Sequence, residues 1–193
     1  MFYGFESQIK SSSLSSWQMV AIYVEHSFLS KKTCTELTAY LSEASWAVLD
    51  NDEFWSGRIH RFGSVEKSML STTNKIKTQI SDYIENKFDS LAHCDTIDFI
   101  RWQDSKQMPL HRDAMDIYMY RDWGSILYLN DDYEGGHTYY PELELDVKPQ
   151  VGSLVVHEGD ALHGVRPVFG NTRYTIASFW TKDKEKAAYD RVH

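Results

Sequence analysis

Between residues 95 and 181 the chain is a succession of short segments rich in β-branched and aromatic residues, each bounded by turn residues. This spacing is typical of an antiparallel sandwich or barrel, and the eight-stranded jelly roll, or double-stranded β-helix, is the natural candidate. The predicted strands span residues 96–102, 116–120, 125–130, 137–140, 143–148, 153–157, 164–168 and 173–181.

Two amphipathic helices are predicted before these strands. Ser30 suits a helix N-cap, and Cys34, Leu37 and Leu41 then recur on one helical face. The second helix carries its apolar side chains on one face, at Ile76, Ile80, Tyr83, Ile84, Phe88 and Leu91. Helices followed by strands predict an α+β fold in which the helices pack on one sheet of the jelly roll.

Length and composition limit the organisation and the partners. A chain of 193 residues suits one domain, with residues 20–94 as helical support and residues 95–181 as the jelly-roll core. The longest apolar run, residues 19–24, predicts a strand and is too short for a membrane span, which needs about 20 residues. A net charge of −8 argues against a nucleic-acid partner.

The N-terminal residues lack the basic start and the apolar stretch of a secretory signal. Only two cysteines, Cys34 and Cys94, are present, so the chain is not a disulfide scaffold. Together these features predict a reducing, cytoplasmic location.

Two His-x-Asp tripeptides occur, at residues 93–95 and 111–113. The first follows the second helix, where a histidine near the helix C-terminus and an aspartate in a turn are ordinary. The second lies between predicted strands, and an extended backbone there would place His111 and Asp113 on one face, next to one metal. Two histidines and one carboxylate form the facial triad of non-haem Fe(II) oxygenases. The third ligand is left open among His137, His157 and His163.

Further segments extend this pattern over most of the chain. Residues 126–138 read ILYLNDDYEGGHT, residues 152–156 read GSLVV, and residues 23–30 read YVEHSFLS. His163-Gly164-Val165 lies about fifty residues after Asp113, and Arg173 follows about ten positions later. In order and spacing these elements resemble the Fe(II)- and 2-oxoglutarate-dependent dioxygenases, specifically their prolyl 4-hydroxylase-like branch.

The resemblance implies a specific site. Its cofactors would be Fe(II), 2-oxoglutarate and O2, with ascorbate as a further candidate. The implied metal ligands and catalytic residues are His111, Asp113 and His163. Arg173 would form a bidentate contact with the distal carboxylate of 2-oxoglutarate, and Tyr128 would donate its hydroxyl to the same carboxylate. The candidate substrate contacts are Trp102, His137, Phe179, Trp180 and Arg58.

The implied reaction is hydroxylation of an unactivated C–H bond, with a prolyl residue of a peptide or protein as the favoured substrate. Two alternatives remain: a hydroxylase of a free amino acid or small metabolite, and a cupin-like metal-binding module without oxygenase activity. Arg173 argues against the second, because such a module needs no cation there. The long predicted loop at residues 46–65 is interpreted as a lid over the substrate.

Overall fold

The helices of the protein cover one face of a large sheet. The computed structural model describes residues 20–48, 58–103 and 105–192. Its α-helices are α1 (Lys31–Glu43), α2 (Lys67–Phe88) and α3 (Ala188–Val192). Within these described ranges, no helix is both long enough and apolar enough to cross a membrane.

The predicted faces of the first two helices are confirmed. The Ser30 hydroxyl accepts a hydrogen bond from the Thr33 amide at 3.1 Å and so caps α1. The predicted apolar positions that are fully buried are Cys34, Leu37, Leu41, Ile76, Ile80 and Ile84. Leu91 was predicted on the same face, which is wrong: it lies beyond the end of α2 and is 64% exposed.

The strands form two main antiparallel sheets. In chain order they are β1 (Ile22–Glu25), β2 (Ala47–Val48), β3 (Arg58–Arg61), β4 (His93–Trp102), β5 (Met108–His111), β6 (Trp123–Tyr128), β7 (Glu134–Gly135), β8 (Thr138–Tyr140), β9 (Leu145–Val147), β10 (Leu154–Glu158), β11 (His163–Val165), β12 (Val168–Phe169) and β13 (Arg173–Thr181). The major sheet has the order β1-β10-β6-β13-β4-β3-β2, and the minor sheet has the order β5-β11-β8-β9. Strands β12 and β7 pair separately.

Alternation along the central strands separates two cores. On β6, Leu127 packs with the buried residues of α1 and α2, whereas Ile126 and Tyr128 pack between the two sheets with Tyr140 and Val147. Successive side chains of a strand point to opposite faces, so one strand serves both layers. The predicted jelly roll with helices on one sheet is confirmed, and the space between the sheets contains the candidate site.

Some predicted strands differ from the observed ones. Residues 116–120 were predicted as a strand, but Asp116–Tyr118 form a 3₁₀ helix that begins with a left-handed residue, Asp116. Residues 164–168 were predicted as one strand, but they divide between β11 and β12 because Pro167 interrupts the segment between them. Strands β5 and β7 were not predicted. The strand at residues 93–102 begins at His93, so the first His-x-Asp lies in β4 and not at a helix end.

The segment predicted as a lid is only partly a loop. Within residues 46–65, β2 and β3 extend the major sheet and pair with each other, and β3 pairs with β4. Residues 49–57 lie outside the described residues, so the role as a lid stays a prediction. Strands β1, β2 and β3 also show that residues 20–94 supply sheet as well as helices.

Candidate active site

Three side chains of the predicted metal site meet between the sheets. His111 ends β5, and its register partner across the ladder is His163 at the start of β11. Asp113 follows two residues after His111, and its Oδ1 lies 3.6 Å from His111 Nε2 and 3.8 Å from His163 Nε2. One ligand atom from each residue lies within 4.8 Å of the others. The geometry therefore brings together the triad that the resemblance implied.

Backbone carbonyls set the orientation of both imidazoles. His111 Nδ1 lies 2.9 Å from the carbonyl oxygen of Pro109, and His163 Nδ1 lies 2.9 Å from that of Ala161. A carbonyl only accepts, so each Nδ1 carries a proton, and in the neutral ring the Nε2 lone pair faces the space beside Asp113 Oδ1. A metal-binding histidine is commonly held in this way by the hydrogen bond of its other nitrogen. This donor set fits a divalent transition metal.

The three histidines keep Asp113 ionised. Burial alone would raise the pKa of this carboxyl group, but His163, His111 and His157 outweigh burial and hold the pKa well below its usual range. Burial lowers the pKa of His163 to about 3, and the neighbouring His157 acts in the same sense. For His111, burial opposes the charged ring, but Asp113 outweighs it and raises the pKa. The site therefore presents a carboxylate and a neutral His163 to a metal.

His157, one of the three open candidates for the third ligand, lies beside the triad. Its Nε2 hydrogen-bonds to Asp113 Oδ2 at 2.8 Å, so that nitrogen is already engaged. His137 lies at the surface, where its Nδ1 contacts Asp146 Oδ1 at 2.7 Å. Of the three candidates, only His163 joins the described cluster that could hold a metal.

Arg173 is a buried cation with unused donors. It begins β13, is 1% exposed, and pairs in register with Trp102. Within the described residues, its Nε and Nη2 atoms have no hydrogen-bond partner. An unpaired buried guanidinium is strongly unfavourable unless an anion meets it. The unpaired guanidinium thus fits the distal carboxylate of 2-oxoglutarate.

Two more unpaired donors lie around Arg173. Trp102 Nε1 and the Tyr133 hydroxyl are buried without a partner among the residues that the structure describes. The guanidinium carbon lies 5.6 Å from the centre of the Trp102 ring. Gly136 has a φ of 62°, and a Cβ there would crowd both the Tyr133 ring and Arg173 Cδ. Sequence reasoning missed Tyr133, because its proximity to Arg173 depends on this glycine turn.

Trp102 and Tyr128 both lie beside Arg173. Trp102 was predicted as a substrate contact, but its position opposite Arg173 makes it a wall of the carboxylate pocket. Tyr128 also faces Arg173, with its ring centre 5.3 Å from the guanidinium carbon. Its hydroxyl hydrogen-bonds to Thr138 Oγ1 at 2.7 Å, and either group can be the donor, so its contact with 2-oxoglutarate stays a prediction.

The remaining predicted substrate contacts lie in three different places. Trp180 is fully buried in the core under the helices, and its Nε1 donates to Ser178, so its prediction is wrong: alternation places it on the far face of the major sheet. Phe179 is half-buried, with its ring 4.0 Å from the guanidinium carbon of Arg121. Arg58 lies in β3 opposite Arg101, and its role stays a prediction.

Comparisons with known proteins agree with this geometry. The family model of the 2OG-Fe(II) oxygenase superfamily matches residues 78–181, which is more than half of the chain. Prolyl 3-hydroxylase 1 of Homo sapiens is 38% identical over 82 residues, a match that covers 39% of this chain and 11% of that protein. The chain therefore spans only a small part of the length of the curated relatives that it matches.

Solved structures share the fold. A prolyl-4-hydroxylase from Pseudomonas putida superposes with a TM-score of 0.67 at 16% identity, covering 84% of this chain and 92% of that one. A prolyl hydroxylase from Trichoplax adhaerens, solved with a peptide of hypoxia inducible factor, gives a TM-score of 0.66 at 19% identity and covers 86% of each chain. These likenesses show the shared fold, and the family match establishes that the chain belongs to the 2OG-Fe(II) oxygenase superfamily, whose cofactors are Fe(II), 2-oxoglutarate and O2.

Proposed function

We propose that this protein hydroxylates a prolyl residue in a peptide or protein substrate. The observation that carries the cosubstrate assignment is Arg173, a buried cation with unpaired donors in the same inter-sheet space as the triad. A metal-binding module that does not use 2-oxoglutarate would leave this charge uncompensated. The names of the relatives support the prolyl substrate, since they include prolyl 3- and prolyl 4-hydroxylases.

Different residues would bind the metal and orient the cosubstrate. His111, Asp113 and His163 would hold the metal, with both histidines fixed by backbone carbonyls. Arg173 would orient the cosubstrate by its distal carboxylate, with further donors from Trp102 and Tyr133. Iron and 2-oxoglutarate, when bound, supply the oxidising chemistry. The protein would contribute ligation and orientation at a largely buried site.

An exposed apolar segment supports a peptide substrate. Directly after Asp113, Ile117 is 78% exposed and Met119 is 69% exposed, with Met115 and Tyr118 partly exposed beside them. Large apolar side chains grouped on a surface mark interaction sites. The segment follows Asp113 within a few residues along the chain, which suits a peptide that presents its proline to the site.

The proposal is tested by turnover of proline-containing peptides with Fe(II) and 2-oxoglutarate. We expect succinate to form together with a hydroxyprolyl peptide, and chromatography against standards will assign the hydroxyl group to carbon 3 or carbon 4. Free L-proline, assayed in parallel, should not be converted. Conversion of free proline but of no peptide would contradict the peptidyl substrate.

Mutation of the apolar segment tests peptide docking directly. Ile117→Ser combined with Met119→Ser should raise the KM for the peptide by roughly 30-fold and leave 2-oxoglutarate affinity unchanged, because each of the two lost apolar contacts weakens binding by about 1 kcal/mol. Leu91→Ser is the matched control, since Leu91 is 64% exposed at the end of the helical layer. An unchanged KM in the double variant would show that the segment does not contact the peptide.

We also propose a reducing, cytoplasmic location. The support is that Cys34 and Cys94 are both buried free thiols. Fractionation of cells that produce the full-length protein tests it, and recovery in a secreted or organellar fraction would contradict it.

A further inference from the structure

His157 joins Asp113 to a buried tyrosine. His157 lies on β10 and is 1% exposed. Its Nδ1 lies 2.9 Å from the hydroxyl of Tyr140, and its Nε2 lies 2.8 Å from Asp113 Oδ2. An ionised carboxylate only accepts, so Nε2 carries the proton and donates to Asp113, while the Tyr140 hydroxyl donates to Nδ1. The tyrosine thereby selects the tautomer that can bond to the aspartate.

The two oxygens of Asp113 consequently have different surroundings. Oδ1 lies 3.6 Å from His111 Nε2 and 3.8 Å from His163 Nε2, where all three atoms can meet one metal. Oδ2 is hydrogen-bonded to His157. The His157 ring lies beside the His163 ring, with 4.3 Å between their centres, but it lies outside the cluster that could hold a metal.

The sheet leaves room for this hydrogen bond. Gly124 on β6 is the register partner of His157. A Cβ at position 124 would overlap both Asp113 Oδ2 and His157 Nε2. Gly124 does not have a positive φ, so close approach of these side chains, and not backbone conformation, explains the glycine.

We propose that His157 is a positioning residue that restricts Asp113 to one metal-facing oxygen. The inference rests on the proposed metal site. A buried carboxylate oxygen without a donor is strongly unfavourable, and the metal would be its nearest alternative partner. Binding through both oxygens would occupy a coordination position that the cosubstrates need. His157 thus keeps that position available, with Tyr140 holding His157 in the required tautomer.

The test measures the open coordination position directly. Wild-type protein is loaded anaerobically with Fe(II) and 2-oxoglutarate, and nitric oxide is added as a probe. The yield of the iron–nitrosyl signal in electron paramagnetic resonance reports the open position. His157→Phe should lower this yield several-fold at saturating iron, because the second oxygen of Asp113 would then compete with nitric oxide for the open position.

Two further variants separate the hydrogen bond from packing. His157→Gln retains an N–H donor and should keep a nitrosyl yield close to that of the wild type. Tyr140→Phe removes only the hydroxyl that selects the tautomer and should give an intermediate yield. If His157→Phe does not fold, a lowered yield in Tyr140→Phe beside a retained yield in His157→Gln still supports the role.

Two outcomes overturn the inference. One is an equal nitrosyl yield in wild type, Tyr140→Phe and the folded His157 variants. The other is a loss confined to Fe(II) affinity, with full yield at saturating iron, which would make His157 a support for ligand orientation only. Failure of the wild-type protein itself to bind Fe(II) and 2-oxoglutarate would instead contradict the proposed function.

Discussion

The metal end and the Arg173 end of the inter-sheet space satisfy their polar groups in opposite ways. At the metal end, His111 and His163 each bond to a backbone carbonyl, and Asp113 bonds to His157. At the other end, Arg173 and Tyr133 are buried with donors that have no partner in the described chain. The first end is organised by the protein alone, whereas the second depends on an anion to complete it.

The largest effect is expected from removing the carboxylate at the organised end. Asp113→Ala should weaken Fe(II) binding by more than about 100-fold, beyond the 10- to 100-fold typical of losing only a partner of a ligand. Anaerobic Fe(II) titration with 2-oxoglutarate, followed by the visible charge-transfer band, measures it. His93→Ala, in the other His-x-Asp, is the control and should bind iron normally. Retained turnover in Asp113→Ala would refute the triad.

At the other end, Arg173→Met should weaken the binding of 2-oxoglutarate and not the binding of Fe(II). Loss of a charge-assisted contact should weaken 2-oxoglutarate binding by about 1.5–3 kcal/mol, roughly 10- to 150-fold, with Fe(II) affinity unchanged. The ligand-free protein should not lose stability, because an unpaired buried cation is removed. Arg166→Met, at a surface arginine paired with Asp146, is the control for both measurements. Equal losses of iron and cosubstrate affinity would contradict the division between the ends.

The metal end should also show a pH dependence of stability. His163 has a folded pKa of about 3 against an ordinary value of 6.5. Between these values the unfolded chain binds more protons, so the free energy of unfolding should fall as the pH falls, by up to about 1.4 kcal/mol per pH unit.

Urea unfolding with a chelator between pH 6.5 and 5 measures this slope. Asp113, with an ordinary pKa of 3.8 that folding lowers, stays ionised in both states over most of this window. The raised pKa of His111 acts in the opposite sense, and the stabilisation that it gives is lost only as the pH rises above 6.5. His163→Gln should flatten the slope, and an unchanged slope would show that another group causes it.

The smallest effect on 2-oxoglutarate binding is expected from Tyr133, and it should distinguish this residue from Tyr128, the other tyrosine near Arg173. Tyr133→Phe removes an unpaired hydroxyl and should weaken 2-oxoglutarate binding by about 1 kcal/mol without loss of stability. Tyr128→Phe leaves the buried Thr138 hydroxyl without its partner, so it should lower the free energy of unfolding by about 1–3 kcal/mol. Calorimetric titration and thermal unfolding of both variants make the comparison. The reverse pattern would assign the cosubstrate contact to Tyr128.

The sequence predicted the elements that show a continuous residue pattern along the chain. Strand β13 was predicted with its exact bounds, because a run rich in β-branched and aromatic residues follows the turn at Gly170-Asn171 and continues to Thr181. The segment at residues 116–120 has a similar composition but places Ile117 and Met119 in solvent, so composition alone misidentified it as a strand. The same apolar and aromatic residue types occur in buried strands and in exposed binding segments, so composition does not distinguish the two.

The site residues that follow a fixed spacing along the chain could be predicted from the sequence. Those that depend on contacts across the sheet could not. His111, Asp113, His163 and Arg173 follow a recognisable order along the chain. The hydrogen bond of His157 to Asp113 depends on strand register and on the room left at Gly124. No local pattern in the sequence shows which of several histidines will approach a given carboxylate across a sheet.

One consequence follows from the place of β5 in the minor sheet. β5 is an edge strand, and its short ladder with β11 contains a register shift. A metal held by His111 and His163 would link these two strands through coordinate bonds, which a backbone ladder cannot match in strength. Protease digestion should therefore cut within residues 108–119 faster after chelation, so that a bound metal would protect this edge of the sheet as well as support the reaction.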